Sequence, residues 1–249
     1  MEANDNRSME FGWRVFGLGI VAVGIVGFVW GDLVPKWFPE RQVLGPAAAI
    51  FMLVTGLGIE WRRTTVWAAA ALAVYYGLIV LLLENGSAIV KNYAVYGTYF
   101  GVAEPLAIAS GALIIYAATA DMDAARAARL TRFAQLAFGA CAVFFGGAHF
   151  VYMSATAPLI PKWLPPSQEF WGYATGVFHI LGGLAIIAGI QARLAAILLT
   201  VMYASFIPLV FVPVLMTEPS AFRWTELATT IVLVGVTWVI ADSLARRQP

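Results

Sequence analysis

The sequence predicts an all-α integral membrane protein in which eight transmembrane helices form two parallel four-helix repeats, with the N and C termini in the cytoplasm. Three observations predict this fold: an apolar composition, eight apolar runs of spanning length, and a pattern that occurs twice along the chain. The 249 residues are 61% hydrophobic and only 12% charged, whereas soluble domains carry about 25% charged residues. The net charge of +1 provides no basic field, so we expect a lipid bilayer and no nucleic acid as the partner. A single cysteine, Cys141, excludes an internal disulfide and a cysteine metal cage.

Eight apolar runs each approach the ~20 residues that a helix needs to cross a bilayer core of ~30 Å. The first four lie between Arg14 and Asp32, between Arg41 and Glu60, between Arg63 and Glu84, and over residues 97–120. The last four lie between Arg132 and Ser154, between Glu169 and Arg193, between Arg193 and Glu218, and over residues 224–241. With the N terminus inside, ten Lys and Arg residues fall in inner segments and five in outer loops. This bias favours cytoplasmic termini. We expect a multi-pass protein of a bacterial-type inner (plasma) membrane.

One pattern occurs twice along the chain. The loop "VPKWFP" at 34–39 recurs within "PLIPKWLPP" at 158–166, and "GFVW" at 27–30 recurs as "HFVY" at 149–152. Gly56, Tyr76 and Glu104 match Gly183, Tyr203 and Glu226 in the same order, at offsets between 121 and 127 residues. Four helices per unit is an even number, so both copies enter the membrane the same way up. We divide the chain into a polar tail (1–11), a first repeat (12–121), a cytoplasmic linker (122–132), a second repeat (133–243) and a C-terminal tail (244–249).

Each proline-rich loop would join the first two helices of its repeat on the outer face. Prolines stop helices and stiffen the turn, and a tryptophan in this position suits the headgroup level of the bilayer. The alternative is that the loop covers a site in the outer half of the bundle.

Five polar side chains fall at a similar depth in the outer half of the predicted spans, and the inner half shows no counterpart. They are Glu104, His149, Tyr152, His179 and Glu226. At ~1.5 Å rise per residue, the two histidines lie roughly 8–13 Å below the outer surface. Ionisable groups inside a membrane are costly and mark functional sites. We therefore expect His149, Tyr152 and His179 to contact a cofactor, and Glu104 and Glu226 to handle protons.

Each of these side chains also has a purely structural interpretation. The histidines would be hydrogen-bond struts between helices, and Tyr152 would belong to the aromatic belt. Glu226 would pair with Arg223 one turn earlier. Glu104 would serve the backbone that Pro105 interrupts.

If the two histidines converge, three kinds of site are open. The first is a quinone site, in which a histidine hydrogen-bonds the quinone and a carboxylate exchanges the proton. The second is haem b with His149 and His179 as axial ligands, for which glycines 146, 147, 182 and 183 would leave room. The third is a metal site of two histidines and one glutamate, a ligand set that suits zinc, iron or copper. We rank quinone above haem, and haem above metal.

The second repeat resembles the DoxX family of small membrane proteins, whose usual unit is four transmembrane helices. The resemblance is carried by "GGAHF" at 146–150, "PKWLP" at 161–165, "YATGVFHILGGLAIIAG" at 173–189 and "ARLAAILLTVM" at 192–202. The first repeat fits more loosely, with Gly27 in the position of His149 and Met52 in that of His179.

This resemblance implies a role in redox chemistry, because similar proteins include the membrane subunit of thiosulfate:quinone oxidoreductase and accessory partners in oxidative-stress systems. We expect the membrane subunit of a quinone-linked redox system with an extracytoplasmic or membrane redox partner. Whether the chain is itself an oxidoreductase stays open. One alternative is a non-enzymatic membrane assembly or docking protein for a soluble or extracytoplasmic partner, which would use segment 84–96, with Tyr93 and Tyr96, and the nearby Tyr99. A haem- or metal-binding protein and a small-solute transporter are further alternatives.

Overall fold

The computed structural model describes residues 2–30, 41–78, 80 and 86–245, and every regular element in those ranges is helical. The α-helices are α1 (Glu2–Trp30), α2 (Arg41–Glu60), α3 (Thr65–Val74), α4 (Gly86–Lys91), α5 (Tyr96–Thr119), α6 (Ala124–Val151), α7 (Met153–Thr156), α8 (Gln168–Ala188), α9 (Ala192–Phe206), α10 (Val212–Thr217) and α11 (Ala221–Ala245). A 3₁₀ turn, Ala157–Leu159, follows α7, and a π-helical segment, Ile207–Phe211, joins α9 to α10.

Within the described residues, seven helical stretches are long and apolar enough to cross a bilayer, so the chain is a multi-pass helical membrane protein. They are Phe11–Trp30, Val43–Glu60, Tyr96–Thr119, Ala124–Val151, Gln168–Ala188, Ala192–Thr217 and Ala221–Ala245. These coincide with seven of the eight predicted runs. The third run coincides with a shorter apolar helix, Thr65–Leu78, and its continuation toward Glu84 lies outside the described residues. The first proline-rich loop, 34–39, also lies outside them.

Local sequence signals explain where the helices of the second half begin and end. The side chain of Asp123 caps α6 by accepting a hydrogen bond from the backbone N–H of Arg126 at 2.8 Å, and Ser167 caps α8 in the same way. Helix α8 ends at Gly189, whose φ of 74° is left-handed and therefore suits glycine. Arg132 donates to the carbonyls at the end of α8, Ile186 and Ile187, which places a positive charge at the negative end of the helix dipole.

Helices α6 and α8 touch through their backbones at four glycines. A Cβ added to Gly146 would lie 2.5 Å from the carbonyl oxygen of Gly176, and a Cβ added to Gly139 would lie 2.9 Å from that of Gly183. Small residues allow helices to approach this closely, which is the packing mode that lipid favours. At these glycines the two backbones are in contact, which leaves no room there for a larger side chain.

Helices α1 and α2 make the same kind of contact. The contacting glycines of α1 lie 122 residues before those of α6. A Cβ added to Gly17, the counterpart of Gly139, would lie 3.0 Å from the carbonyl oxygen of Gly56, and one added to Gly24, the counterpart of Gly146, would lie 3.0 Å from that of Ala49. The same spacing relates Phe16 and Phe138, which are both fully buried. The first helix pair in each half of the chain is thus built alike.

The remaining contacts close the bundle. Helix α1 packs on α2 and α11, and α6 packs on α8 and α5. Helix α3 lies against α2 and α5, while α9 lies against α8 and α11. Helices α5 and α11 also touch each other. The most buried of the seven candidate spans is α11, so its residues form much of the core.

Proline interrupts the regular hydrogen bonding of the seventh run. Pro208 lies in the π-helical segment and Pro213 in α10. Because proline lacks a backbone N–H, it removes a helical hydrogen bond and leaves room for the wider π turn. The run still continues as one helical stretch from Ala192 to Thr217.

Candidate functional site

The structure brings the two histidines together near one end of the bundle. We call this the proline end, because it carries residues 157–167; the opposite end, with residues 120–123, is the linker end. The ring centroids of His149 on α6 and His179 on α8 lie 5.4 Å apart with 30° between the ring planes. Their approach follows from the glycine contact between the helices, since a Cβ on Gly176 would lie 2.9 Å from Cβ of His149.

Both ring nitrogens of His179 are engaged. Nδ1 lies 2.9 Å from the carbonyl oxygen of Thr175, and Nε2 lies 3.0 Å from the hydroxyl of Tyr203 on α9. A carbonyl only accepts, so Nδ1 carries the hydrogen and the Tyr203 hydroxyl donates to Nε2. His179 is 2% exposed and Tyr203 is 4% exposed. His179 therefore joins α8 to α9, as the strut interpretation describes.

His149 is different, because its Nδ1 is buried and meets no hydrogen-bond partner among the described residues. The ring of His179 lies beside it, and the ring of Phe145 meets His179 edge-on at 6.3 Å. Thus both ring nitrogens of His179 have hydrogen-bond partners, whereas Nδ1 of His149 is buried and has no partner among the described residues.

The four glycines that would make room for haem are each in contact with a neighbour. Gly146 and Gly183 meet the backbone of the opposite helix, Gly147 meets the hydroxyl of Tyr96, and a Cβ on Gly182 would lie 2.9 Å from Leu199. A haem ligated by both histidines would have to separate α6 from α8 and displace Tyr203 from Nε2 of His179. The residues therefore do not fit a bis-histidine haem.

A metal ion would face a similar obstacle at His179, since both nitrogens of this ring already hold hydrogen bonds. Among the residues that the structure describes, no group of three or more histidine, cysteine, aspartate or glutamate side chains is arranged to hold a metal.

Tyr152 contacts α5 rather than the histidines. Its hydroxyl accepts a hydrogen bond from the backbone N–H of Gly97 at 2.8 Å, where the first turn of α5 has N–H groups without helical partners. Beside it, Tyr96 donates to the carbonyl of Phe144 at 2.8 Å. Tyr99 donates to the carbonyl of Tyr93. Tyr152 and Tyr96 thus fasten the start of α5 to the end of α6.

Glu104 and Glu226 lie on α5 and α11, two helices that pack against each other. Glu226 forms an ion pair with Arg223, with Nη1 and Oε2 at 2.9 Å, which confirms the structural interpretation of Glu226. The counterpart of Arg223 on α5 is Gly101, beside which an added Cβ would meet open space. The two carboxylates therefore have different surroundings.

Buried polar side chains also occur toward the linker end, contrary to the expectation that the inner half shows no counterpart. Gln135 is fully buried; its Nε2 donates to the hydroxyl of Ser243 at 3.0 Å. Asp242 and part of Glu60 are buried as well. The sequence did not indicate these three residues as buried. Glu60 and Asp242 lie at the ends of apolar runs, and Gln135 carries no charge.

Sequence reasoning singled out Tyr203 only as a repeat match, not as part of the site. The available signal was that Tyr203 is equivalent to Tyr76 in the repeat and that His179 is equivalent to Met52. The structure shows the same bond in the first half: the hydroxyl of Tyr76 lies 3.5 Å from Sδ of Met52. In each half the two residues are 24 positions apart.

Residues 138–241 match the family model of a domain of unknown function (DUF8561), and this range lies within the predicted second repeat. No curated protein and no solved structure matches the chain.

Proposed function

We propose that the chain is the membrane subunit of a quinone-linked redox system, with a quinone site at His149 on the proline end. The observation that carries the proposal is the buried Nδ1 of His149, which meets no partner among the described residues. Buried polar groups are nearly always hydrogen-bonded, and an exception calls for an explanation such as a ligand. A quinone, whose ring is apolar and whose two oxygens are polar, suits such an atom in a lipid-facing bundle.

His179 and Tyr203 position the site in this proposal. Their hydrogen bonds hold the His179 ring in one plane, and His149 lies against that ring at 5.4 Å. An immobilised neighbour limits the rotation of His149, which keeps Nδ1 aimed at one place. A bound quinone would exchange electrons with a redox partner, and His149 would hydrogen-bond one quinone oxygen.

The proton-handling role falls to the carboxyl pair. Glu226 is engaged by Arg223 at 2.9 Å, whereas Glu104 has Gly101 in the equivalent position of its own helix. Glu104 is therefore the carboxyl that we assign to proton exchange, with Glu226 as the charge beside it.

We also propose that the architecture is that of two DoxX-like repeats with eight spans. The glycine contacts of α1 with α2 recur between α6 and α8, and the bond between Met52 and Tyr76 recurs between His179 and Tyr203. The short apolar helix Thr65–Leu78 would be part of the third span, which together with the seven longer helices makes eight. With cytoplasmic termini in a bacterial-type inner membrane, the proline end faces outward, where the redox partner docks.

The test is a spectrum and an extraction on one purified sample. The protein is purified in detergent, its absorbance is recorded oxidised and after dithionite, and its organic extract is quantified by mass spectrometry. We expect stoichiometric quinone and no Soret band. His149→Phe should lose the quinone, whereas Met52→Leu, a change in the first half at the position that matches His179, should retain it.

Two outcomes contradict the proposal. A colourless wild-type protein without quinone would leave the histidines as struts and move the search to partners of the proline end. A Soret band that disappears in both His149→Ala and His179→Ala would make the protein a haem protein.

A further inference from the structure

We propose that the second half of the chain binds an anionic phospholipid at the linker end, at the corner where α6, α8 and α9 meet. Three arginines lie at this corner: Arg129 and Arg132 on α6, and Arg193 on α9. The site is separate from the two histidines, which lie near the proline end, and it does not depend on the quinone proposal.

Arg132 joins α6 to the end of α8. Its Nη1 donates to the carbonyl oxygen of Ile186 at 3.1 Å, and its Nη2 donates to that of Ile187 at 2.6 Å. Arg129 lies three residues earlier on α6, and residues three apart are neighbours on a helix surface. The guanidinium of Arg129 is therefore held beside the linker end of α8.

The connection from α8 to α9 brings the third arginine to the same corner. The turn is tight, since Gly189 has a φ of 74° and Gln191 a φ of 48°. Helix α9 begins directly after it, and Arg193 lies in the first helical turn. Arg193 is thus only a few residues along the chain from the carbonyls that Arg132 binds.

Acidic side chains of the three helices do not balance this positive charge. Helices α6 and α9 contain no aspartate or glutamate, and the single one in α8, Glu169, lies at the proline end. Asp123 caps the start of α6, about 9 Å of helix rise before Arg129, and Asp121 precedes it. Asp242 on α11 is buried, so it takes no part in this surface.

Arg129 and Arg193 are the two arginines of the corner that are available to a ligand. Both are exposed, and neither forms an ion pair with a described residue. Arg132, in contrast, already donates to α8. Guanidinium groups pair with phosphate oxygens through two parallel hydrogen bonds, which makes arginine a preferred phosphate ligand.

Exposed apolar side chains continue from both arginines toward the proline end. They are Phe133 and Leu136 on α6, and Leu194, Ile197, Leu198 and Val201 on α9. A ligand that covers both the charged corner and these apolar faces has an anionic head and long hydrocarbon chains. This description fits an anionic phospholipid, and basic pockets between transmembrane helices bind such headgroups. A soluble phosphate would use the arginines alone.

The first half of the chain does not repeat the three arginines. At the offset of 122 residues that relates α1 to α6, Glu10 takes the position of Arg132. At the offset of 127 residues that relates Gly56 to Gly183, Val66 takes the position of Arg193. The arginine corner is therefore a feature of the second half, beyond the general excess of basic residues at this end.

The experiment measures lipid binding to the purified, delipidated protein in detergent by native mass spectrometry. Dioleoyl phosphatidylglycerol and dioleoyl phosphatidylcholine are titrated separately, because they share their chains and differ in headgroup charge. We expect phosphatidylglycerol to bind about 30-fold more tightly, as two exposed arginines near the membrane surface would give. The double variant Arg129→Gln/Arg193→Gln should lose this preference.

The matched control is Arg62→Gln/Arg63→Gln, which removes two exposed arginines from the turn between α2 and α3, also at the linker end. It should keep the wild-type preference. Equal binding of the two lipids by the wild-type protein would overturn the proposal, and this comparison needs no variant. An equal loss in both double variants would show a general charge effect instead of a site. Displacement of the lipid by millimolar glycerol phosphate would assign the arginines to a soluble anion and would also overturn it.

Discussion

The two halves of the molecule share a scaffold and differ in one pair of side chains. In the first half the hydroxyl of Tyr76 lies 3.5 Å from Sδ of Met52, and in the second half the hydroxyl of Tyr203 lies 3.0 Å from Nε2 of His179. Both pairs are buried and both join the second helix of their half to the following one. A thioether is a weak acceptor, whereas an imidazole is a strong one with a second polar nitrogen.

The difference indicates where a function was placed on the shared scaffold. The tyrosine and the glycine contacts occur in both halves, so they serve the packing. Imidazoles occur in the second half alone, where His149 takes the position of Gly27 and His179 that of Met52. Four experiments test this comparison, in order of decreasing expected effect.

The largest effect is expected at the glycine contact. Gly146→Val should destabilise the protein by about 3 kcal/mol, because the new side chain meets the backbone of α8 and forces the helices apart. Thermal unfolding in detergent measures the loss. Gly101→Ala is the control and should not destabilise the protein, since nothing lies within 4 Å of its added Cβ and alanine has the higher helix propensity. Wild-type stability in Gly146→Val would show that α6 and α8 are not in backbone contact.

The next effect is a difference in stability between the variants Tyr203→Phe and Tyr76→Phe. Tyr203→Phe leaves Nε2 of His179 buried without its donor, which costs about 1–3 kcal/mol. Tyr76→Phe should cost less, since the sulfur of Met52 loses little when its donor is removed. Denaturant unfolding of both variants gives the difference. Equal losses would mean that the hydroxyl of Tyr203 contributes no more than its counterpart.

Replacing His179, the acceptor of the Tyr203 hydrogen bond, should lower quinone binding more than protein stability. His179→Met recreates the pair of the first half, so we expect a folded protein destabilised by about 1 kcal/mol. The quinone content should nevertheless fall, because His149 loses the ring that it lies against. Mass spectrometry of the extract, with Met52→Leu as the control, checks this result. Full quinone content in His179→Met would remove His179 from the site.

The smallest effect concerns the carboxyl pair. Gly101→Arg gives Glu104 the neighbour that Glu226 has in Arg223, and the ion pair should add up to about 1 kcal/mol of stability relative to Gly101→Gln. The glutamine variant controls for the helix propensity that any replacement of glycine gains. Unfolding at low and high salt measures the difference. Equal stabilities at low salt would place the Glu104 carboxylate out of reach of residue 101.

Much of the fold could be predicted from the sequence, because hydropathy is a local property. Seven of the eight apolar runs coincide with helices of spanning length, and the end of the third lies outside the described residues. The ion pair of Glu226 was also predictable, because Arg223 lies one turn earlier on the same helix. That the histidines would converge was an expectation from depth alone.

The amino-acid sequence by itself determined the helices, the repeated pattern and the positions of the two histidines, since each follows from residue type and spacing along the chain. Only the tertiary structure decided which polar atoms meet. In the folded chain His179 is hydrogen-bonded to Tyr203, and Nδ1 of His149 has no partner among the described residues. Tyr152 is hydrogen-bonded to the start of α5. Hydrogen bonds act over about 3 Å, so their partners depend on how helices distant in sequence pack, which no local pattern records.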